Sequence, residues 1–252
     1  MGVVLIFSLA GAALAATVFS IQRARLAART RAMEQLAPEL GLSFTAEDRF
    51  GLLQQLKGFD LFRRARSWFR RAGMVRNVLR GQVDGTEVAL FDYTYVVSTG
   101  KSSRRITQTV FFANSKDWYL PNFRLRPETW WQKIRALVDK SDIDFPDSPE
   151  FSDKFWITGA FESLVRKTFS PELQQFLCER PPVHLEGNNY YLLAYKPKRA
   201  LNAAEAKVFF DNCCELVRRF KREQQPELLN LAELRPPEMP LTLPETPEQT
   251  AL

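Results

Sequence analysis

Residues 77–97 read NVLRGQVDGTEVALFDYTYVV. Two β-rich runs, Asn77 to Val83 and Thr86 to Val97, flank Asp84-Gly85, the residue pair that a type I′ hairpin turn wants because both of its central positions need φ > 0. In the second run Val88, Leu90, Asp92 and Thr94 alternate with Ala89, Phe91, Tyr93 and Tyr95. Successive strand residues face opposite sides. Both faces are fairly apolar, so the sheet is expected to be covered by helices on one side at least. A third run, Ile106 to Ala113, follows a small polar loop from Ser98 to Arg105, which makes an antiparallel meander. The fold class expected is α+β, an antiparallel-sheet domain with packed helices.

Working outward, Phe123-Arg124-Leu125 adds a strand. Pro127 suits the first position of a helix holding Trp130, Trp131, Ile134, Leu137 and Val138. An Asp-, Pro- and Ser-rich loop separates it from a short strand at Phe155 to Ile157 and helices at Phe161 to Phe169 and Pro171 to Leu177. Val183 to Leu185 and Tyr190 to Tyr195 read as a second hairpin turning through Glu186-Gly187-Asn188-Asn189. Asn202 with Glu205 makes a capping-box start to a helix with Val208, Phe209, Cys213, Leu216, Val217 and Phe220 on one face. Upstream, Ala24 to Leu40 reads as a helix closed by Gly41 and kinked in its last turn by Pro38. Thr45 with Asp48 resembles a capping box opening a short helix that stops at Gly58. From Gln224 onward six prolines and mostly acidic charge predict a disordered tail.

The N-terminal stretch Gly2 to Gln22 carries no charge. At ~1.5 Å per residue it covers roughly the 30 Å of a bilayer's hydrocarbon core. No cation precedes it, and Arg23, Arg25, Arg29 and Arg31 follow at once. Cationic flanks stay in the cytoplasm, so the reading is an uncleaved single-pass transmembrane helix with a cytoplasmic C-terminal domain at the cell membrane. The competing reading is a secretory signal cleaved after Ala15, for which Ala13-Leu14-Ala15 supplies a small-x-small site. The domain organisation expected is an anchor over 1–22, a basic juxtamembrane helix over 23–43, the α+β domain over 44–223 and the tail over 224–252.

The chain has 252 residues, 45% hydrophobic and 25% charged, which excludes a wholly disordered or multi-span membrane protein. Three cysteines cannot make a disulfide framework, and the single histidine, His184, excludes any site needing two. The net charge of +6 is uneven: residues 1–80 carry +8, 81–222 carry +3, and 223–252 carry −5. The densest basic run holds Arg63, Arg64, Arg66, Arg70, Arg71, Arg76 and Arg80 among Phe62, Trp68 and Phe69. Arginines with interleaved aromatics suit anionic lipid headgroups, phosphates of nucleic acid, or simply a solvated face over core aromatics. A chain already tethered to a bilayer meets lipid first, which disfavours nucleic acid. The candidate lipid or partner surface is therefore Arg63, Arg64, Arg66, Trp68, Arg70 and Arg71.

Catalytic signatures are absent. Gly100-Lys101-Ser102 resembles the end of a phosphate loop, but Tyr95 stands where the first glycine belongs and strands flank it on both sides. Cys213 and Cys214 diverge by about 100° on a helix and cannot close a metal site. The carboxylates from Asp142 to Asp153 match no EF-hand spacing. No cofactor or metal is expected.

Several stretches together carry a family resemblance: 36–44 (LAPELGLSF), 77–81 (NVLRG), 91–95 (FDYTY), 108–110 (QTV), 120–128 (LPNFRLRPE) and Glu186-Gly187. Over residues 33 to 220 the chain resembles an uncharacterised bacterial family of membrane-anchored proteins with a domain of unknown function. The resemblance implies membrane attachment and one architecture, and brings no activity, ligand or site with it. The function expected is a membrane-tethered cytoplasmic interaction module that meets a protein partner or lipid headgroups, without catalysis. The alternative is an exported envelope enzyme or binding protein.

Overall fold

The computed structural model describes the backbone of residues 2–64, 70–98, 102–128 and 142–223, and the side chains of 16–63, 73–98, 102–128 and 142–221. The 77–97 stretch folds as read. Strands β2 (Arg70–Val83) and β3 (Thr86–Ser98) pair antiparallel through a turn in which Asp84 and Gly85 have φ of 51° and 74°. Strand β4 (Ser103–Asn114) completes the meander, paired with β3 from Glu87↔Asn114 to Ser98↔Ser103. With β1 (Ser43–Glu47), β5 (Leu120–Pro127), β6 (Phe155–Gly159), β7 (His184–Asn189) and β8 (Tyr191–Tyr195) it forms one sheet. The order is β1-β2-β3-β4-β8-β7-β5-β6, and every neighbouring pair is antiparallel.

The alternation in β3 is answered on both sides. Val88 and Leu90 belong to the larger core, which includes Met33, Leu36 and Ala37 of α1 (Gly2–Glu39) and Phe209, Phe210, Leu216 and Phe220 of α7 (Ala203–Glu223). Ala89, Phe91, Tyr93 and Tyr95 belong to a second core with Leu52 of α2 (Leu52–Gln55), Leu56 and Phe59 of the turn that follows, and Phe62 of α3 (Asp60–Arg64). The larger core also takes in α4 (Pro149–Lys154), α5 (Glu162–Thr168) and α6 (Pro171–Cys178), whose Phe151, Val165 and Leu173 are fully buried. Helices therefore cover both faces of the sheet.

Local chemistry explains the boundaries. Asn202 and Glu205 form the expected reciprocal cap on α7, each side chain accepting from the other's backbone N–H at 2.9 and 3.0 Å. Gly41 at φ 68° closes α1. The cap on α2 differs from expectation. Asp48 alone accepts from Leu52 and Leu53 N–H, at 2.9 and 3.0 Å, while Thr45 lies in β1 opposite Val78. The second hairpin turns later than expected: β7 runs through Glu186 and Gly187 to Asn189, where φ is 54°. Pro127 ends β5 opposite Phe155, and the helix expected over 130–138 lies outside the described residues.

A buried polar network ties α1 to the sheet. Arg29 grips Asp92 of β3 with Nε and Nη2 at 3.0 and 2.9 Å, and donates to the Thr109 hydroxyl of β4 at 3.1 Å. Its Nη1 donates to the Leu201 carbonyl in the segment before α7. Asn77 donates to Asp92 at 2.9 Å and accepts from Thr30 at 2.9 Å. The sheet deforms to allow this: between Arg76↔Asp92 and Leu79↔Leu90 β2 carries one extra residue, with Asn77 at φ 51°. Asparagine enters that left-handed region more readily than most residues, and the bulge re-aims its amide.

Along α1, Val18, Phe19, Ile21 and Leu26 are exposed, whereas Met33, Leu36 and Ala37 are in the core, so the helix leaves the domain N-terminal to Arg29. Among the described residues no helix is long and apolar enough to cross a membrane. The apolar run read as an anchor falls largely on residues 2–15, whose side chains lie outside the described ones.

Removing one partner of a buried pair strands the other, at a cost of about 3–5 kcal/mol. Arg29→Met, which keeps the apolar stem and leaves Asp92 without its cation, should destabilise the domain by that amount. A urea midpoint shift with unchanged slope is the measurement.

Candidate functional site

The structure brings only part of the sequence-selected basic surface into view. Arg63 is exposed on α3 and pairs with Asp60 at 2.6 Å. Arg64 ends α3, and Arg70 and Arg71 open β2 opposite Val97 and Val96, with the side chains of all three outside the described ones. Arg66 and Trp68 lie outside the described residues. Asp60 binds Arg124 of β5 as well as Arg63, so one carboxylate partly neutralises the only patch residue whose side chain is described.

Those residues border a polar cleft of about 340 Å³ between α3 and the β5–β7 strands, with Glu186 at its inner wall. The Glu186 carboxylate accepts from the Asp60 and Leu61 N–H groups at 2.7 and 3.2 Å and from the Tyr195 hydroxyl at 2.8 Å. It thus caps α3 from the sheet. The adjacent Gly187 is required sterically, since a Cβ there would lie 2.1 Å from the Phe123 ring. Burial pushes the Glu186 carboxyl above its ordinary range, although the bonds from Tyr195 and Asp60 pull it down. Both of its oxygens accept hydrogen bonds inside the fold, which makes it a fastener of α3.

A second cavity, of about 370 Å³, opens between α6, α7 and the segment joining β8 to α7. Its walls are apolar: Phe155, Phe176, Leu177, Val183, Phe209 and Leu216, with Leu201 beside them. Leu201 is held at both ends, its carbonyl by Arg29 and its N–H by the Thr109 hydroxyl at 2.9 Å. Cations gather among the lining residues. Arg180 lies 3.7 Å over the Phe176 ring and donates to Asn212 at 3.3 Å. Arg199 pairs with Glu205 at 2.6 Å. Lys196, half-buried, makes no ion pair among the described residues. Val208, also on the lining, is 60% exposed.

The remaining reactive groups have structural surroundings. Burial pushes the Cys213 thiol well up and the Cys214 thiol up to about 12, which keeps both protonated and poorly nucleophilic near neutral pH. The His184 ring packs on Tyr195 at 5.2 Å. Asp142, of the acidic loop, accepts from Ile157 N–H at 3.0 Å and so anchors β6. Among the described residues no group of three or more His, Cys, Asp or Glu is placed to hold a metal ion. The arrangement offers a preformed apolar cavity beside cations, a binding chemistry.

Sequence reasoning missed the cavity because its walls come from residues 155 to 216, joined only by folding. The one local signal is Lys196-Pro-Lys-Arg199, a basic cluster immediately before an amphipathic helix; Val208, expected on the buried face of that helix, is instead exposed.

No family model matches the chain, and no curated protein matches it. One solved structure, that of the mycobacterial trehalose monomycolate transport factor A, TtfA, is similar at 14% identity and a TM-score of 0.46, over 78% of this chain and 94% of that one. A likeness at that level says nothing about function.

Because its carboxyl is raised above the unfolded value, Glu186 contributes stability that is full below the ordinary range and is lost as pH climbs through the raised value. Relative to Glu186→Gln, the wild-type chain should therefore lose stability as pH rises from about 4 towards neutrality. Urea midpoints of both proteins across that window measure it.

Proposed function

We propose that the chain is a membrane-tethered, single-pass module whose α+β domain works on the cytoplasmic face of the cell membrane. It meets anionic lipid headgroups or a protein partner there and carries out no catalysis. The observation that carries this reading is α1. It is one helix from Gly2 to Glu39, running from the apolar stretch through Arg23 and Arg25 to Arg29, which is locked to Asp92. Arg29 lies seven helical steps beyond Gln22. At ~1.5 Å each they place the domain about 10 Å from the end of the apolar run. At that range, within about one Debye length, basic residues are attracted to an anionic leaflet. Arg63, Arg64, Arg66, Trp68, Arg70 and Arg71 supply the headgroup-facing surface, with Arg63 sharing its charge with Asp60.

The test is topology. One reporter active only inside the cytoplasm and one active only outside are fused in turn to the C-terminus, and membranes are separated from the soluble fraction. The expected result is a membrane-bound chain with the inside reporter active. A soluble or exported product with a new N-terminus at Ala16 sinks this reading and favours the released envelope protein.

A further inference from the structure

The geometry points to the cavity between α6 and α7 as a binding site for a single-chain anionic amphiphile, an alkyl chain ending in a carboxylate or a phosphate. The apolar walls of Phe155, Phe176, Leu177, Val183, Phe209 and Leu216 take the chain, and Lys196 takes the head. This goes beyond membrane tethering and does not depend on it.

Three features select that chemistry. The first is size. At about 370 Å³ the cavity lies at the low end of the ~300–1,000 Å³ that ligand pockets occupy, which suits one chain rather than two. The second is charge. Of the four charged lining residues, Arg199 and Glu205 satisfy each other at 2.6 Å. Arg180 is spread over Phe176 and Asn212, with Glu179 only at 4.0 Å. Lys196 is left as a half-buried cation with no ion pair among the described residues, next to apolar walls. Glu205, committed to Arg199, offsets the Lys196 charge only at longer range, so a neutral ligand leaves it partly compensated and a cationic one repels it, whereas an anion pairs with it directly. The third is readiness. Leu201 is pinned by Arg29 and Thr109, so the wall beside the cations is in place before a ligand arrives. Val208, exposed at 60%, is apolar surface that a bound chain covers.

The full chain, in nanodiscs of zwitterionic phosphatidylcholine if it fractionates with membranes and in buffer if it does not, is titrated with a dansyl-labelled undecanoic acid, and the signal of the protein-free medium is subtracted. Saturable binding is expected, displaced by dodecanoate at least tenfold better than by dodecanol or dodecylamine. Lys196→Glu and Val208→Trp each weaken binding at least tenfold, a loss of about 1.4 kcal/mol, and Lys196→Arg retains it. Both sites are at least partly exposed, so these variants fold, which unchanged urea midpoints confirm. Equal displacement by the alcohol overturns the proposal, as does binding untouched by both Lys196→Glu and Val208→Trp. Deleting residues 224–252 leaves affinity unchanged if the proposal holds. A tenfold gain on that deletion makes the chain's own acidic tail the occupant and also overturns it.

Discussion

The ion pair between Arg29 and Asp92 is the constraint on which the rest of the structure hangs. A carboxylate in the middle of a strand buried on both faces is untenable without compensation, because desolvating a lone charge costs several kcal/mol. Asp92 is compensated four ways, by two arginine N–H groups, the Asn77 amide and the Thr109 hydroxyl. Each partner belongs to a different element. α1, β2, β3 and β4 are thus fixed against one another by one charge, and through the Leu201 carbonyl the same arginine fixes the approach to α7. The bulge at Asn77, a costly backbone conformation for a residue other than glycine, exists to serve it.

The parts of the fold carried by local chemistry were legible in the sequence. Asp84-Gly85 dictates its turn, Asn202 and Glu205 dictate the start of α7, and the alternation from Val88 to Tyr95 announces a sheet with two apolar faces. What escaped is what depends on partners distant along the chain. Arg29 reads as one of four arginines flanking an apolar run, and nothing nearby shows that it alone turns inward to meet a residue 63 positions away. Glu186-Gly187-Asn188-Asn189 has the composition of a turn. Only the tertiary structure reveals a carboxylate needed to cap α3 and a glycine needed to clear the Phe123 ring. The strand therefore continues four residues past the point where composition stops it.

The two cavities show how differently a fold can use charge. In the polar cleft, Asp60 and Glu186 are both engaged through both oxygens, the first by Arg63 and Arg124 and the second by two backbone N–H groups and Tyr195. Such a site is rich in ionisable groups and has little left to offer a ligand. The apolar cavity has as many charged residues on its lining, four, but there Lys196 makes no ion pair among the described residues and feels Glu205 only at longer range. Polar density alone points to the first and availability to the second.

The continuity of α1 makes the helix a shaft keyed to the domain. An α-helix turns about 100° per residue, so one residue inserted between Gln22 and Arg29 would rotate everything N-terminal to the insertion by that angle about the axis. Arg29 cannot yield, since its grip on Asp92 sets the phase. The domain and the apolar run thus share a fixed azimuth as well as a fixed spacing. The arginines at 23 and 25 point in set directions relative to the domain, and only insertions close to whole turns, such as about seven or about eleven residues, would restore that alignment.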